Sequence, residues 1–294
     1  MKKICLAGLA ALFCASVAFG DEVDKGLTNI ATEQLRASAR QMIRVGIKSD
    51  DAIKMTRVML ENRFRQENTL RAHEIMIRAK EEGLPVEPIM NKAQEGIAKR
   101  VKEEHIIQAM ERVRSRYAFA YEKAREVTQD KAQIQRIGNH VAECMAAGMN
   151  DYHIYRIMHQ LKYRSQQMIS TQRTELAAET FRAVREMVRF NVSSMLATEV
   201  ACEALKHHYS SEEMARMRKA FISHSRNTSP HIVAQGYSGA IQRGQNVKTL
   251  DFSGGLGVGK VGGAAGAAGS AGGPVGTGDG GAHGVRDGSH GGKR

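Results

Sequence analysis

The chain has 294 residues, with 43 Lys and Arg against 31 Asp and Glu, a net charge of +12 and no Trp. That charge favours acidic partners such as anionic lipid headgroups, wall polymers or acidic proteins. With only 5% aromatic residues, the chain has little with which to stack nucleic-acid bases, so nucleic acid is not an expected partner.

Residues 1–20 read as a secretory signal peptide. Lys2 and Lys3 begin an apolar run over 4–19, small residues follow, and charge returns at Asp21 and Glu22. The run is too short for a spanning helix and its far flank is acidic. Cleavage is expected after Gly20, with Ala18 at −3, and cleavage after Ala18 is the alternative; Cys14 does not serve as a lipidation site because bulky Phe13 precedes it. The mature chain would carry a charge of about +10 and two of the four cysteines, Cys144 and Cys202. In an oxidising compartment these can pair, stabilising by ~4 kcal/mol in the chain-entropy model, or stay apart as buried thiols. Retention in the periplasm is expected, with an extracellular destination as the alternative.

From Asp24 to about Gly244 the composition is that of helices: Ala, Met, Glu, Gln, Arg and Lys abound, and Gly and Pro are sparse. The core must be built from Met, Ile, Leu, Val and Ala. One pattern recurs after six anchors, Ile47, Leu84, Val101, Met149, Val192 and Tyr209. Apolar residues follow at +5, +8 and +12, as in Ala52, Met55 and Met59 or Ile154, Ile157 and Leu161, with Lys92 the one charged miss. Those steps share one helix face. Gly46, Gly83, Gly148 and Asn191 stand just before four anchors and tolerate the left-handed conformation that closes a helix. Ser49, Asn150, Ser193 and Ser210 are candidate caps, Ser210 with Glu213 as a capping box, and Pro85 suits a first turn.

Leu84 to Val101 and Val192 to Tyr209 have the same spacing, which points to a duplication with a short indel. The expected fold is all-α: roughly ten to eleven short helices as duplicated helix–turn–helix units, stacked as an α-solenoid-like array or a compact bundle. One half would span 21–126. The second, with a closing helix capped by Ser229 and Pro230, would span 127–250.

Residues 251–294 are rich in Gly and have too few apolar residues to offset ordering entropy, so a flexible tail is expected. The stretch 253–263, SGGLGVGKVGG, imitates a phosphate loop. Val261 occupies the place of the metal-binding hydroxyl, and the glycine-rich continuation cannot start a stable helix, so no nucleotide cofactor is expected.

Catalytic and metal signatures are weak. The eleven His lack same-face ligand spacings, "HEIMI" at 73–77 has no second His, and scattered surface His is the reading. Glu95 and Glu203 occupy equivalent places in the two halves and could in principle pair as catalytic carboxylates; Cys144 could be a reactive thiol. Neither is expected to be catalytic. Basic clusters offer candidate anion-binding residues: Lys99, Arg100 and Lys102; Arg112, Arg114 and Arg116; Arg216, Arg218 and Lys219. The expectation is an exported, non-enzymatic, cofactor-free protein whose repeated helical face binds another protein or an anionic envelope polymer. A peripheral binder of anionic membrane or wall polymer is the alternative.

Overall fold

The computed structural model describes residues 22–245, and the structural statements below concern those residues. The expected signal peptide and the glycine-rich tail lie outside them. The described residues form twelve helices and no strand. A short α1 covers 22–27. Then come α2 (Glu33–Arg44), α3 (Ser49–Glu61), α4 (Gln66–Glu81), α5 (Glu87–Ala98) and α6 (Glu103–Arg125). They are followed by α7 (Lys131–Ala146), α8 (Asp151–Arg164), α9 (Ser170–Arg189), α10 (Ser194–Lys206), α11 (Ser211–His224) and α12 (Pro230–Gln242). The all-helical array matches the expectation, with α1 added. No helix among the described residues is long and apolar enough to cross a membrane.

All six anchors close helices in the same way. The residue before each has positive φ: 94° at Gly46, 73° at Gly83, 53° at Arg100, 115° at Gly148, 62° at Asn191 and 61° at His208. Each anchor then donates its N–H to the carbonyl five residues back, as from Ile47 to Met42 (3.0 Å) and from Leu84 to Ala79 (2.8 Å). This is the Schellman arrangement, which satisfies carbonyls that a helix end leaves open. A seventh corner was not singled out in the sequence: Arg63 has φ 60°, and Phe64 donates to the Met59 carbonyl at 3.0 Å. Thr69, Ala72 and Met76, at +5, +8 and +12 from Phe64, are all fully buried, so it obeys the same pattern.

Capping departs from expectation at three places. Asn150, Ser193 and Ser210 cap as expected, Ser210 in a capping box with Glu213. Ser49 does not: it is the first helical residue, and Lys48 holds the cap position without a side-chain bond. Ser229 holds the cap position of α12 and also makes no cap bond. Pro88 rather than Pro85 lies in the first turn of α5. Thr32 and Asp130 are caps that the sequence reading missed.

Helices pack on the next but one. In one row α2 lies on α4 and α4 on α6, then α7 on α9 and α9 on α11; in the other, α8 lies on α10 and α10 on α12. The long α6 packs directly against α7, which carries the first row across the middle of the chain. The shared interior is rich in Met, including Met42, Met55, Met59, Met76, Met110 and Met214, all essentially inaccessible. Met suits such a core because its flexible thioether fills irregular gaps. Aromatic rings enter at selected points, among them Phe181, Phe221 and Tyr237. Gly138, inside α7, lies under the Tyr121 ring: a Cβ there would come within 2.7 Å of Tyr121 Cε2.

The two cysteines are free. Cys144 and Cys202 are separate buried thiols, so the pairing alternative is corrected in favour of the other. Cys144 Sγ donates to the Phe181 carbonyl at 3.3 Å. Burial raises the pKa of both thiols, which suppresses the nucleophilic thiolate.

Candidate functional site

α8 presents an unusual outer face. Ile154, Ile157, Met158 and Leu161 are buried on its inner side. Helical spacing then turns Tyr152, Tyr155, Arg156, His159, Lys162 and Tyr163 outward, and all six are exposed. Of the eight large apolar side chains exposed among the described residues, four lie here or just beyond: Tyr152 (60%), Tyr155 (51%), Tyr163 (67%) and Ile169 (64%). Residues 152–174 contain no Asp or Glu. On the other helices, by contrast, ion pairs within or between helices are common, such as Lys99 with Glu95 or Arg136 with Glu175.

Neighbouring groups fix part of this face. The Tyr155 ring meets Phe119 of α6 edge-on, with centroids 5.6 Å apart. Lys123 Nζ lies 4.6 Å from the Tyr155 ring centroid and 5.5 Å from that of Phe119, a cation–π arrangement. Burial works against the charge on Lys123, but hydrogen bonds to Glu126 (2.6 Å) and Glu122 (3.0 Å) outweigh it and raise the ammonium's pKa. Arg156 lies over Tyr152 at 5.8 Å. Neither Arg156 nor Lys162 has a carboxylate within ion-pair distance among the described residues.

Beside this face is a cleft of about 460 Å³ between the end of α6, α8 and the start of α9. Val127, Met158, Leu161 and Ala177 supply apolar lining; Lys162, Arg173, Ser165, Gln166 and Glu126 supply polar groups. Arg173 donates from Nη2 to the Met168 carbonyl at 3.2 Å, yet its Nε is buried with no partner. Arg116, Arg164 and Arg218 bury an Nε in the same way, and Arg173 is the one of the four that lines this cleft. The cleft's carboxylate, Glu126, is already engaged by Lys123.

The residues singled out from sequence lie elsewhere. Of the nine basic candidates, Lys99 pairs with Glu95, Arg114 with Glu82 and Glu111, Arg216 with Glu212 and Arg218 with Glu179. Arg100 forms a helix corner, Lys102 holds the α6 cap position, and Arg116 has its Nε buried without a partner. Arg112 lines a cleft of mixed charge between α4 and α6 that also contains Glu74, Glu104 and Glu111; Lys219 is exposed on α11. Glu95 lies between Lys92 and Lys99, whose hydrogen bonds hold its pKa down to about 2; Glu203 pairs with Lys206 of its own helix. Each carboxylate is thus engaged locally. Among the described residues no group of three or more His, Cys, Asp and Glu side chains converges as a metal cage would.

His73 corrects the reading of scattered surface histidines. It is fully buried on α4, with Nε2 3.0 Å from Thr56 Oγ1 of α3 and Nδ1 3.0 Å from Ser38 Oγ of α2. Burial lowers its pKa to about 4, so the ring is neutral near pH 7. A neutral ring between two hydroxyls, with no carboxylate to stabilise an imidazolium, fits a structural linker better than a catalytic base.

What pointed to α8 in the sequence was the coincidence of three of the seven tyrosines with an acid-free stretch. Reading basic clusters alone passes over it. Comparison with family models, with curated proteins and with solved structures finds no match to this chain.

Proposed function

We propose that the chain is an exported, non-enzymatic helical-array protein of the cell envelope that binds another macromolecule through the outer face of α8 and the adjoining cleft. The carrying observation is the exposed face of three tyrosines with Arg156, His159 and Lys162, set in a run from 152 to 174 that contains no Asp or Glu. Tyr and Arg recur at the centres of protein interfaces because they combine large contact area with polar tips. Export is supported by the Lys2, Lys3 and apolar pattern of residues 1–20.

The test is site-specific crosslinking in cells that express the chain. A photoreactive amino acid at Tyr155 or Tyr163 should give adducts of higher mass, whereas the same group at exposed Glu67 on α4 should give none. Adducts at all three positions, or at Glu67 alone, would count against the α8 face.

The net charge of +12 supports a second reading, peripheral binding of anionic membrane or wall polymer. Binding of that kind collapses as salt rises and spreads over the basic residues of α6 and α11.

A further inference from the structure

If α8 is the docking face, the charges and shape beside it restrict what can occupy it. We propose that the cleft between α6, α8 and α9 takes an acidic peptide segment carrying a large apolar side chain. The apolar side chain enters between Met158, Leu161 and Ala177, and the flanking carboxylates meet Lys162 and Arg173. This rests on the α8 reading above and adds the partner's chemistry.

Three observations carry it. The cleft joins apolar lining to two cations, and its one carboxylate, Glu126, is already bonded to Lys123. A ligand carboxylate therefore meets net positive charge. Arg173 lines the cleft, its guanidinium bonds the Met168 carbonyl and it has no carboxylate within ion-pair distance among the described residues, and guanidinium–carboxylate pairs are strong, directional hydrogen bonds. The approach to the cleft from residue 152 to residue 174 carries no acidic side chain, so nothing on it repels an incoming carboxylate.

A peptide fits better than a bilayer or a sugar–phosphate polymer. Membrane-surface helices turn Trp, Phe and Leu outward into the acyl boundary. Here the aliphatic side of α8 is buried in the array and the outer side carries Tyr with cations. A sugar–phosphate polymer would satisfy Lys162 and Arg173 but would leave the apolar lining of the cleft without a partner.

The experiment uses the full mature chain against a displayed library of random twelve-residue peptides. Selected sequences should place Asp or Glu on both sides of a Leu, Ile, Phe or Met. A synthetic peptide of that consensus should bind about tenfold more weakly to Lys162→Glu/Arg173→Gln than to the original chain. Lys219→Glu, on exposed α11, should leave binding unchanged, and thermal melts should show that all variants fold.

A library that yields no acidic consensus, or a consensus peptide indifferent to the double variant, overturns the proposal. So does binding to phosphatidylglycerol vesicles that the double variant abolishes while peptide binding is absent; the site would then serve lipid. Crosslinks at Tyr155 and Tyr163 alongside a failed library leave the docking face standing and remove the peptide chemistry. Loss of both removes both.

Discussion

His73 Nε2 and Thr56 Oγ1 lie 3.0 Å apart across the α3–α4 packing, and the opposite ring nitrogen reaches Ser38 on α2. One imidazole thus ties three consecutive helices together inside the first part of the array. The tie holds only while the ring is neutral, because burial opposes the charged form and drops the pKa to about 4.

That relationship predicts acid sensitivity with a definite sign. In the unfolded chain His73 titrates near its ordinary value of 6.5, so between pH 6.5 and 4 the unfolded state binds the extra proton. Its stabilising contribution is complete above pH 6.5 and is lost progressively down to pH 4, by about 3 kcal/mol in all. Urea midpoints measured at pH 7 and pH 4.5 should show the loss. His73→Phe should remove this component of the pH dependence, and an unchanged pH profile in that variant would contradict the assignment.

Gly138→Ala should destabilise by about 1–3 kcal/mol, the usual cost of overpacking a filled core. The added methyl would press on the Tyr121 ring, whose hydroxyl donates to Asn139 at 3.0 Å and which has little room to move. Tyr121→Ala in the same chain should lessen the additional penalty of Gly138→Ala. A double-mutant cycle of thermal denaturation measures that coupling.

Arg63→Gly should stabilise by up to about 1 kcal/mol. Arg63 holds φ 60° at a helix corner, a conformation that Gly adopts without Cβ crowding. Gly83→Ala, at φ 73° with open space around it, should destabilise by a similar amount, because the backbone rather than any neighbour resists the change. Guanidinium titrations should move in opposite directions for the two variants.

The mature protein should start at Asp21 and carry two thiols. Both should resist a polar thiol reagent in the native state and react after denaturation, since Cys144 and Cys202 are buried and free. Intact-mass analysis with and without reductant should give the same mass before labelling. A two-dalton difference would reveal a bridge and contradict the structure.

Much of the fold was legible because short-range chemistry decides it. Gly46, Gly83, Gly148 and Asn191 tolerate left-handed φ whatever surrounds them, and the +5, +8 and +12 residues declare one buried face per helix. The bend at Arg63 was passed over because it has no glycine or asparagine to mark it and because polar Thr69 stands at +5 from Phe64, where the six anchors are followed by apolar residues. Ser49 was misplaced as a cap because the helix begins one residue earlier than its hydroxyl suggests.

The candidate site was less legible. The tyrosines of α8 stand out by count and the stretch by its lack of acids, but composition does not say which face looks outward. The i,i+4 pairs of Lys99 with Glu95 and Arg216 with Glu212 follow from spacing along one helix, but sequence could not say that Arg114 and Arg218 meet carboxylates on neighbouring helices. Pairing between helices depends on positions some thirty to forty residues apart, as in Arg114 with Glu82 and Arg218 with Glu179.

Local backbone and side-chain preferences by themselves determined an all-helical chain, most of its corners and the residues that face inward. Only tertiary packing decided that α6 lies against α7, that His73 is buried between two hydroxyls, that the cysteines stay apart, and that a cleft opens beside α8. The physical reason is range: helix periodicity and left-handed bends are settled within a few residues, whereas burial, charge pairing and clefts are created when distant segments exclude water together.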